Sequence, residues 1–166
     1  HTPDPEEIRM RWLRRRGPKV RPRAKAAEIL RARVMLVGDA GVGKTTLLSM
    51  LSGGTCPPAP GEKYEPTVGV ELVQKPIMLH GRKIHMAIWD FSGHPVFRVV
   101  REQLYRYCQI GILVFDVTRR SSFESLSDWV SEAKKNGAGG GRGQQELTFV
   151  VCGTKTDLAT KRAVPE

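Results

Sequence analysis

Residues 34–48 decide the fold of this chain, and they read Val34-Met35-Leu36-Val37-Gly38-Asp39-Ala40-Gly41-Val42-Gly43-Lys44-Thr45-Thr46-Leu47-Leu48. A short apolar run leads into Gly-x-x-x-x-Gly-Lys-Thr, and a leucine-containing helical segment follows. A strand before the glycine-rich loop and a helix after it are typical of a loop that binds phosphate groups. The pattern predicts a nucleotide site formed by Gly38, Asp39, Ala40, Gly41, Val42, Gly43, Lys44, Thr45 and Thr46.

The residue types in this loop suit phosphate chemistry. The glycines let the backbone curl so that its N–H groups surround an anion, and the helix that follows places its positive end there. Lys44 supplies a mobile positive charge for the terminal phosphates, and the hydroxyl of Thr45 is a hard oxygen that suits Mg²⁺. A glycine-rich turn that precedes a lysine by chance is the alternative interpretation. The flanking strand and helix argue against it.

The composition is that of a soluble globular protein. The 166 residues are 40% hydrophobic and 27% charged, which suits one domain with a single core. The three cysteines, Cys56, Cys108 and Cys152, lack C-x-x-C spacing, so they indicate neither a disulfide framework nor a zinc site and fit a reducing compartment. No apolar run is long enough to span a bilayer, and the start lacks a secretory signal. Because the start also lacks an initiator Met, we expect a fragment of a longer protein.

The net charge of +10 is concentrated near the N-terminus. Residues 1–33 hold 11 Lys and Arg against 4 Asp and Glu, whereas residues 34–166 hold 16 against 13. We therefore predict a basic N-terminal extension over 1–33, with helices at about 4–16 and 22–31, and one domain over 34–166. The extension either has an acidic partner, such as an anionic membrane, an acidic protein tail or nucleic acid, or is a solvated basic tail. No specific nucleic-acid readout is predicted.

From Val34 onward, strand patterns alternate with helix patterns. The alternation predicts a three-layer α/β fold with a mostly parallel sheet and one antiparallel strand, which comes from a hairpin around 80–82. Ligands of such sheets bind outside the carboxyl ends of the strands. The expected strands are 34–37, 68–78, 84–90, 110–116 and 147–153. The expected helices are 44–51, 95–105 and 121–135, the last with Ser121 or Ser122 as its cap.

Two further motifs at these strand ends suit a phosphate-bound metal ion. Thr67 ends a loop rich in Gly and Pro, and its hydroxyl can reach a bound Mg²⁺ when the last phosphate is present. Asp90, in Asp90-Phe91-Ser92-Gly93, can bind Mg²⁺ directly or through water. The N–H of Gly93 can approach the terminal phosphate because no side chain blocks it. We therefore predict Thr45, Thr67 and Asp90 as the metal site.

The last motif, Thr154-Lys155-Thr156-Asp157, suits a guanine base. The carboxylate of Asp157 can accept two hydrogen bonds from the base, and the Lys155 stem can lie along it with its ammonium near the phosphate loop. Adenine offers no such pair of donors, so the motif argues for guanine. Each motif could arise by chance, but four in this order, each at the carboxyl end of a strand, argue strongly against chance.

These residues resemble the small GTPases of the Ras superfamily over about residues 33–158. Residues 112–118, with Ser122, Phe123 and Trp129, look Rab-like. Gly93-His94-Pro95-Val96-Phe97 with Val100-Arg101 is similar to Rab-like proteins that carry a C-terminal J domain, and residues 89–93 also resemble Roc-type GTPase domains. The resemblance implies a P-loop GTPase fold, GTP or GDP with Mg²⁺, and effector and regulator proteins as partners. It also implies a cytoplasmic protein, with association to a membrane or the cytoskeleton left open.

Departures from the family pattern shape the expected activity. His94 follows Asp-x-x-Gly where most members have Gln to orient the attacking water, and Pro95 stiffens the loop. We therefore expect GTP phosphohydrolase activity with slow intrinsic hydrolysis, in which Lys44 stabilises charge, Gly93 contacts the phosphate and His94 positions water poorly. Thr154 stands where Asn is commoner, a change that some members share. The family domain continues with a strand and a helix that we expect to be absent from this chain.

Two other functions stay open at this point. The domain could be a scaffold that keeps the fold and binds nucleotide without useful turnover, which His94-Pro95 and the basic extension favour. It could also be a P-loop kinase or ATPase, but such enzymes have no use for the guanine motif at Thr154–Asp157. Hydrolysis by a His94→Gln variant addresses the first alternative, and competition between GTP and ATP addresses the second.

Overall fold

The computed structural model of the chain describes residues 30–54, 66–138 and 147–165. These residues form five strands and four α-helices, connected in places by short 3₁₀ turns. The strands are β1 (Leu30–Val37), β2 (Val70–Leu79), β3 (Arg82–Phe91), β4 (Ile110–Asp116) and β5 (Thr148–Thr154). The helices are α1 (Lys44–Leu51), α2 (Arg98–Leu104), α3 (Arg120–Glu124) and α4 (Leu126–Lys135). The 3₁₀ turns are Pro95–Phe97, Tyr105–Tyr107 and Ala159–Lys161.

The strands pair in the order β2-β3-β1-β4-β5. The β1–β3, β1–β4 and β4–β5 pairs are parallel, and only β2 and β3 run antiparallel. The hairpin between β2 and β3 turns at His80 and Gly81, whose φ angles of 47° and 73° match a tight turn between twisted strands. This confirms the predicted mostly parallel sheet with one antiparallel strand.

The core lies on both faces of the sheet because the side chains of β1 alternate between them. Met35 and Val37 pack into one apolar cluster with Tyr105 and with Trp129 of α4. Val34 and Leu36 point to the opposite face, where Leu48 of α1 belongs to a second cluster. Because an apolar cluster lies on each face of the sheet, the helices and the sheet form the three layers that the alternating pattern predicts. The carboxyl ends of the parallel strands β1, β3 and β4 lie at one edge of the sheet.

Several predicted boundaries are wrong. β1 begins at Leu30, because residues 30–33 already pair with β3, so the helix expected to reach Arg31 cannot extend that far. Its other residues, and the helix at 4–16, lie outside the described residues. The helix predicted over 121–135 is two helices that break at Ser125, and Arg119 rather than a serine is at its N-cap. Ser122 is buried and hydrogen-bonds the backbone N–H of Asp116 instead.

The segment expected to be a single helix over 95–105 is a 3₁₀ turn, then α2, then a second 3₁₀ turn. His94 caps the first turn, because its side chain accepts a hydrogen bond from the N–H of Val96, and Pro95 follows at a first-turn position where a missing N–H costs nothing. None of the helices in the described ranges is long and apolar enough to cross a membrane.

Candidate functional site

The loop between β1 and α1 curls because three of its glycines have positive φ. The angles are 147° at Gly38, 74° at Gly41 and 98° at Gly43. Gly38 also leaves no room for a side chain, because a Cβ there would overlap the carbonyl oxygen of Val114 on β4. The backbone between these glycines therefore forms a concave wall of the kind that binds phosphate groups.

Lys44 begins α1, and its side chain is buried beside that loop. Its Nζ donates hydrogen bonds to the carbonyl oxygens of Gly38 and Asp39, both at 2.8 Å. Burial lowers the pKa of Lys44 to about 8, although the nearby carboxylate of Asp90 opposes the shift. A bound phosphate would place negative charge next to the ammonium and so favour its protonated form.

Three oxygen-bearing side chains meet beside Lys44. The hydroxyl of Thr45 donates to Oδ2 of Asp90 at 2.5 Å, and the hydroxyl oxygens of Thr45 and Thr67 lie 2.8 Å apart. Asp90 is fully buried on β3, burial raises its pKa, and its Oδ1 accepts no hydrogen bond from the described residues. A buried carboxylate oxygen without a donor, next to two hydroxyls, fits a hard divalent cation.

This cluster is too small to saturate a cation by itself. In the ranges that the structure describes, no group of three or more His, Cys, Asp or Glu side chains converges to hold a metal ion. Mg²⁺ commonly binds through one or two protein oxygens and completes its shell with phosphate oxygens and water. The position of the Thr45–Thr67–Asp90 cluster beside the glycine-rich loop suits that shared mode of binding.

Gly93 packs directly on the glycine-rich loop. A Cβ at Gly93 would overlap the backbone of Asp39 and Ala40, so only glycine allows this approach. His94 follows at the surface, and its Nδ1 accepts a hydrogen bond from the backbone N–H of Val96 at 3.3 Å. In a neutral imidazole, this contact matches the tautomer that has its proton on Nε2, because a nitrogen that accepts a hydrogen bond carries no proton.

Thr154 at the end of β5 contacts the glycine-rich loop. Its hydroxyl lies within hydrogen-bond reach of two carbonyl oxygens, that of Val42 in the loop and that of Phe115 on β4, the latter at 2.9 Å. A Cβ at Gly43 would lie 3.6 Å from the Thr154 side chain. Thr154 therefore connects β5 to the loop through its hydroxyl.

The side chain of Lys155 forms an ion pair with a carboxylate of the same chain. Its Nζ donates to Oδ2 of Asp116 at 2.6 Å, and its backbone has a φ of 60°. Burial would raise the pKa of Asp116, but hydrogen bonds from Lys155 and Thr118 hold that pKa below its usual value. Asp157 is exposed in the turn that follows β5. The Lys155 ammonium, expected near the phosphate loop, is therefore held by the end of β4.

The structure brings most of the predicted residues to one pocket. A cavity of about 280 Å³ is lined by Ala40, Gly41, Gly43, Lys44, Thr45, Thr46, Pro66, Thr67, Ser92, Gly93 and His94. Asp90 lies just behind it and bonds to Thr45. Gly38 and Val42 shape the loop, whereas Thr154, Lys155 and Asp157 lie outside the lining of this pocket.

Sequence reasoning missed what the Asp39 side chain does. Its Oδ1 accepts hydrogen bonds from the hydroxyl of Ser125 and the indole N–H of Trp129, both at 2.9 Å. Arg119 also donates to the carbonyl oxygen of Ala40 at 3.1 Å. These residues lie 79 to 90 positions away along the chain, so no local pattern could have identified them. Of these residues, only Trp129 belongs to a pattern visible in the sequence, the set of residues that look Rab-like.

Comparison with known proteins gives a consistent result. The Ras family profile matches residues 33–166. Mouse Ras-related protein Rab-19 is 34% identical over 132 residues, and human Ras-related protein Rab-42 is 40% identical over 134. Zebrafish DnaJ homolog subfamily C member 27 is 34% identical over 147 residues. The matches cover 80%, 80% and 89% of this chain but only 56%, 59% and 52% of the respective relatives.

Proposed function

This chain belongs to the Ras family and is a Rab-like small GTPase, and on that basis we propose that it binds GTP or GDP with Mg²⁺ and hydrolyses GTP slowly. Because the chain spans little more than half the length of these relatives, the proposal concerns this domain and not a whole protein. The observation that carries it is the pocket in which the phosphate loop, Lys44, Thr67 and Gly93 meet. Effectors would read whether the segments around Thr67 and Gly93 are ordered.

The described residues fit a magnesium-bound triphosphate. Thr45, Thr67 and Asp90 would hold the cation, and the unpartnered Oδ1 of Asp90 would gain a partner, directly or through water. When bound, Mg²⁺ neutralises charge on the terminal phosphates. Lys44 would exchange its two carbonyl partners for phosphate oxygens, and Gly93 would offer its N–H to the terminal phosphate.

His94 supports the proposal that hydrolysis is slow. A glutamine amide both donates and accepts hydrogen bonds, so it can hold a water molecule and a phosphate oxygen together. In His94 the Nδ1 is already engaged by Val96, which leaves only the N–H at Nε2. A donor alone cannot accept a hydrogen bond from the attacking water, so water positioning would be poor.

The preference for guanine rests on Asp157 and Lys155. Asp157 is exposed after β5, where its carboxylate is free to accept from a base. Lys155 is braced by Asp116, which would keep its carbon stem in one orientation for packing along a base. Thr154 would maintain the loop geometry through its hydroxyl, which lies within reach of the Val42 carbonyl oxygen in the loop.

The basic N-terminal region is proposed as an extension that precedes the domain and binds an anionic membrane or an acidic protein tail. Since β1 begins at Leu30, the extension is best tested as residues 1–29 rather than 1–33. Salt-sensitive binding to anionic vesicles should be lost when 1–29 are deleted. Unchanged binding would remove this part of the proposal.

Competition binding tests the main proposal. Fluorescent GDP is displaced with GTP, GDP or ATP, each with Mg²⁺ and with an excess of chelator. We expect GTP and GDP to compete far better than ATP, and Mg²⁺ to strengthen their binding. Comparable affinities for GTP and ATP would overturn the guanine assignment, and the absence of any nucleotide binding would overturn the proposed function as a whole.

A further inference from the structure

Arg101 of α2 is buried and reaches the segment that carries Gly93 and His94. Only 4% of the residue is exposed. Its Nη1 lies 3.0 Å from the carbonyl oxygen of His94 and 3.3 Å from that of Ser92, and it donates hydrogen bonds to both. Hydrogen bonds from a charged donor are stronger than neutral ones. The two carbonyls flank Gly93, so Arg101 fixes the backbone on both sides of it.

Arg101 is itself held by α4. Its Nε donates to Oε1 of Glu132 at 2.7 Å, and its Nη2 lies 3.3 Å from Oε2, which makes a two-point contact. Tyr105 donates its hydroxyl to the same Oε1 at 2.9 Å. Burial would raise the pKa of Glu132, but these donors hold that pKa below its usual value, so the carboxylate stays charged. Arg101 therefore has one orientation and cannot swing away from the segment that carries Gly93 and His94 without losing its two-point contact with Glu132.

The same helix also anchors the phosphate loop. Trp129, one turn before Glu132, donates its indole N–H to Asp39 at 2.9 Å. The guanidinium of Arg101 lies 4.7 Å from the centre of the Trp129 ring, a cation–π distance. Helix α4 thus braces the two opposing walls of the pocket, one through Trp129 and the other through Arg101.

We propose that Arg101 is a positioning residue that holds Gly93 and His94 against the phosphate loop and thereby favours triphosphate over diphosphate binding. The inference rests on the proposed function. Only a nucleotide with a third phosphate would use the N–H of Gly93. If the protein holds that N–H in place beforehand, less conformational entropy is lost when the triphosphate binds. The binding of a diphosphate is not strengthened by this preordering, because a diphosphate has no third phosphate to contact the N–H of Gly93.

The test compares Arg101→Gln and Arg101→Lys with Arg98→Gln, a matched control. Arg98 is on the same helix and also lies 3.5 Å from Glu132. Its side chain is 53% exposed, however, and it contacts no carbonyl of residues 92–94. The dissociation constants for GTPγS and GDP are measured for each protein with Mg²⁺. In Arg101→Gln the ratio of the GDP to the GTPγS dissociation constant should fall about tenfold, because the charge-assisted hydrogen bonds to the carbonyls of Ser92 and His94 are lost. Arg101→Lys should be intermediate, and Arg98→Gln should match wild type.

Amide hydrogen exchange provides a second readout. With GTPγS bound, residues 92–96 should lose protection in Arg101→Gln and keep it in Arg98→Gln. If Arg101→Gln does not fold, Glu132→Gln takes its place, because it loosens Arg101 without removing it. A lower melting temperature with an unchanged GTPγS-to-GDP preference and unchanged exchange would overturn the positioning role and leave Arg101 as a structural residue only. Failure of wild type to bind either nucleotide would instead overturn the proposed function.

Discussion

The indole nitrogen of Trp129 lies 2.9 Å from Oδ1 of Asp39, so a hydrogen bond joins helix α4 to the phosphate loop. Ser125 donates to the same oxygen at the same distance. Asp39 is thus a side chain of the loop that faces the protein, while the backbone of the loop faces the pocket. These hydrogen bonds stabilise the loop through the Asp39 side chain, on the side away from the pocket. The backbone N–H groups of the loop therefore remain available for a ligand.

Replacing Trp129 with Phe should test that link, because the ring is retained and the hydrogen bond is lost. We expect the free energy of unfolding to fall by about 1 kcal/mol. Nucleotide affinity should fall by a few fold as the loop loosens. Trp89→Phe is the control, since the Trp89 indole donates no hydrogen bond to the described residues. Equal effects of the two changes in urea unfolding and nucleotide binding would contradict the role of the Trp129 bond.

Replacing His94 with Gln should accelerate single-turnover GTP hydrolysis by about tenfold or more, because the amide both donates to and accepts from the attacking water. The rate is measured on a preloaded protein, so nucleotide affinity does not affect it. His85→Gln, a surface change on β3, should leave the rate unchanged. A wild-type rate typical of the family, with no gain in His94→Gln, would show that His94 does not slow the reaction.

The contribution of Lys44 to the stability of the nucleotide-free protein should become more favourable between pH 8 and 10.5. Folding lowers the pKa of Lys44 from 10.5 to about 8, so its protonated form is disfavoured in the folded state. That penalty is complete below pH 8 and disappears as pH rises, because in this window the unfolded chain binds more protons. The shift corresponds to about 3 kcal/mol.

Lys44→Met isolates this contribution. The difference in unfolding free energy between wild type and Lys44→Met, measured by urea unfolding at several pH values, should shrink as pH rises from 8 to 10.5. At pH 7 the variant should be the more stable protein without nucleotide, yet it should bind GTP much more weakly. If the difference in unfolding free energy between the two proteins does not change with pH, burial does not lower the pKa of Lys44.

Replacing Thr154 with Val should remove its hydroxyl, which lies within hydrogen-bond reach of two carbonyl oxygens, while preserving the shape of the side chain. The carbonyl oxygens of Val42 and Phe115 would lose the one hydroxyl hydrogen that is available to them, so we expect a loss of about 1–3 kcal/mol in unfolding free energy. Nucleotide affinity should fall as well, since Val42 is part of the phosphate loop. Thr148→Val on the same strand is the control, because Thr148 is exposed. If both variants lose the same stability, the contact with the loop contributes nothing.

Replacing Asp90 with Asn should separate metal binding from folding. The buried carboxylate has a raised pKa and an Oδ1 without a donor, so the nucleotide-free variant should be at least as stable as wild type. The effect of Mg²⁺ on GDP affinity should nearly vanish, because a charged oxygen ligand is gone. Thermal unfolding and GDP titrations with and without chelator measure the two effects. Undiminished Mg²⁺ dependence would rule out Asp90 as a metal ligand.

The sequence predicted the phosphate loop and the α/β alternation because both depend on local properties. Glycines at fixed spacing permit positive φ angles, and runs of apolar residues with period 2 or 3.6 indicate which face of an element is buried. Even so, the boundaries were imprecise. β1 starts four residues earlier than expected because pairing with β3 accommodates Arg31 and Arg33, residues that read as part of a basic tail.

Tertiary structure alone decided which distant side chains support the site. Arg101 and Glu132 are 31 positions apart, Lys155 and Asp116 are 39 apart, and Trp129 and Asp39 are 90 apart. Each pair depends on how a helix or strand packs on the sheet, and the side chains of many residues along the chain determine that packing together. The local pattern predicted a pocket for phosphates, and the packing of α4 determined which residues brace its two walls.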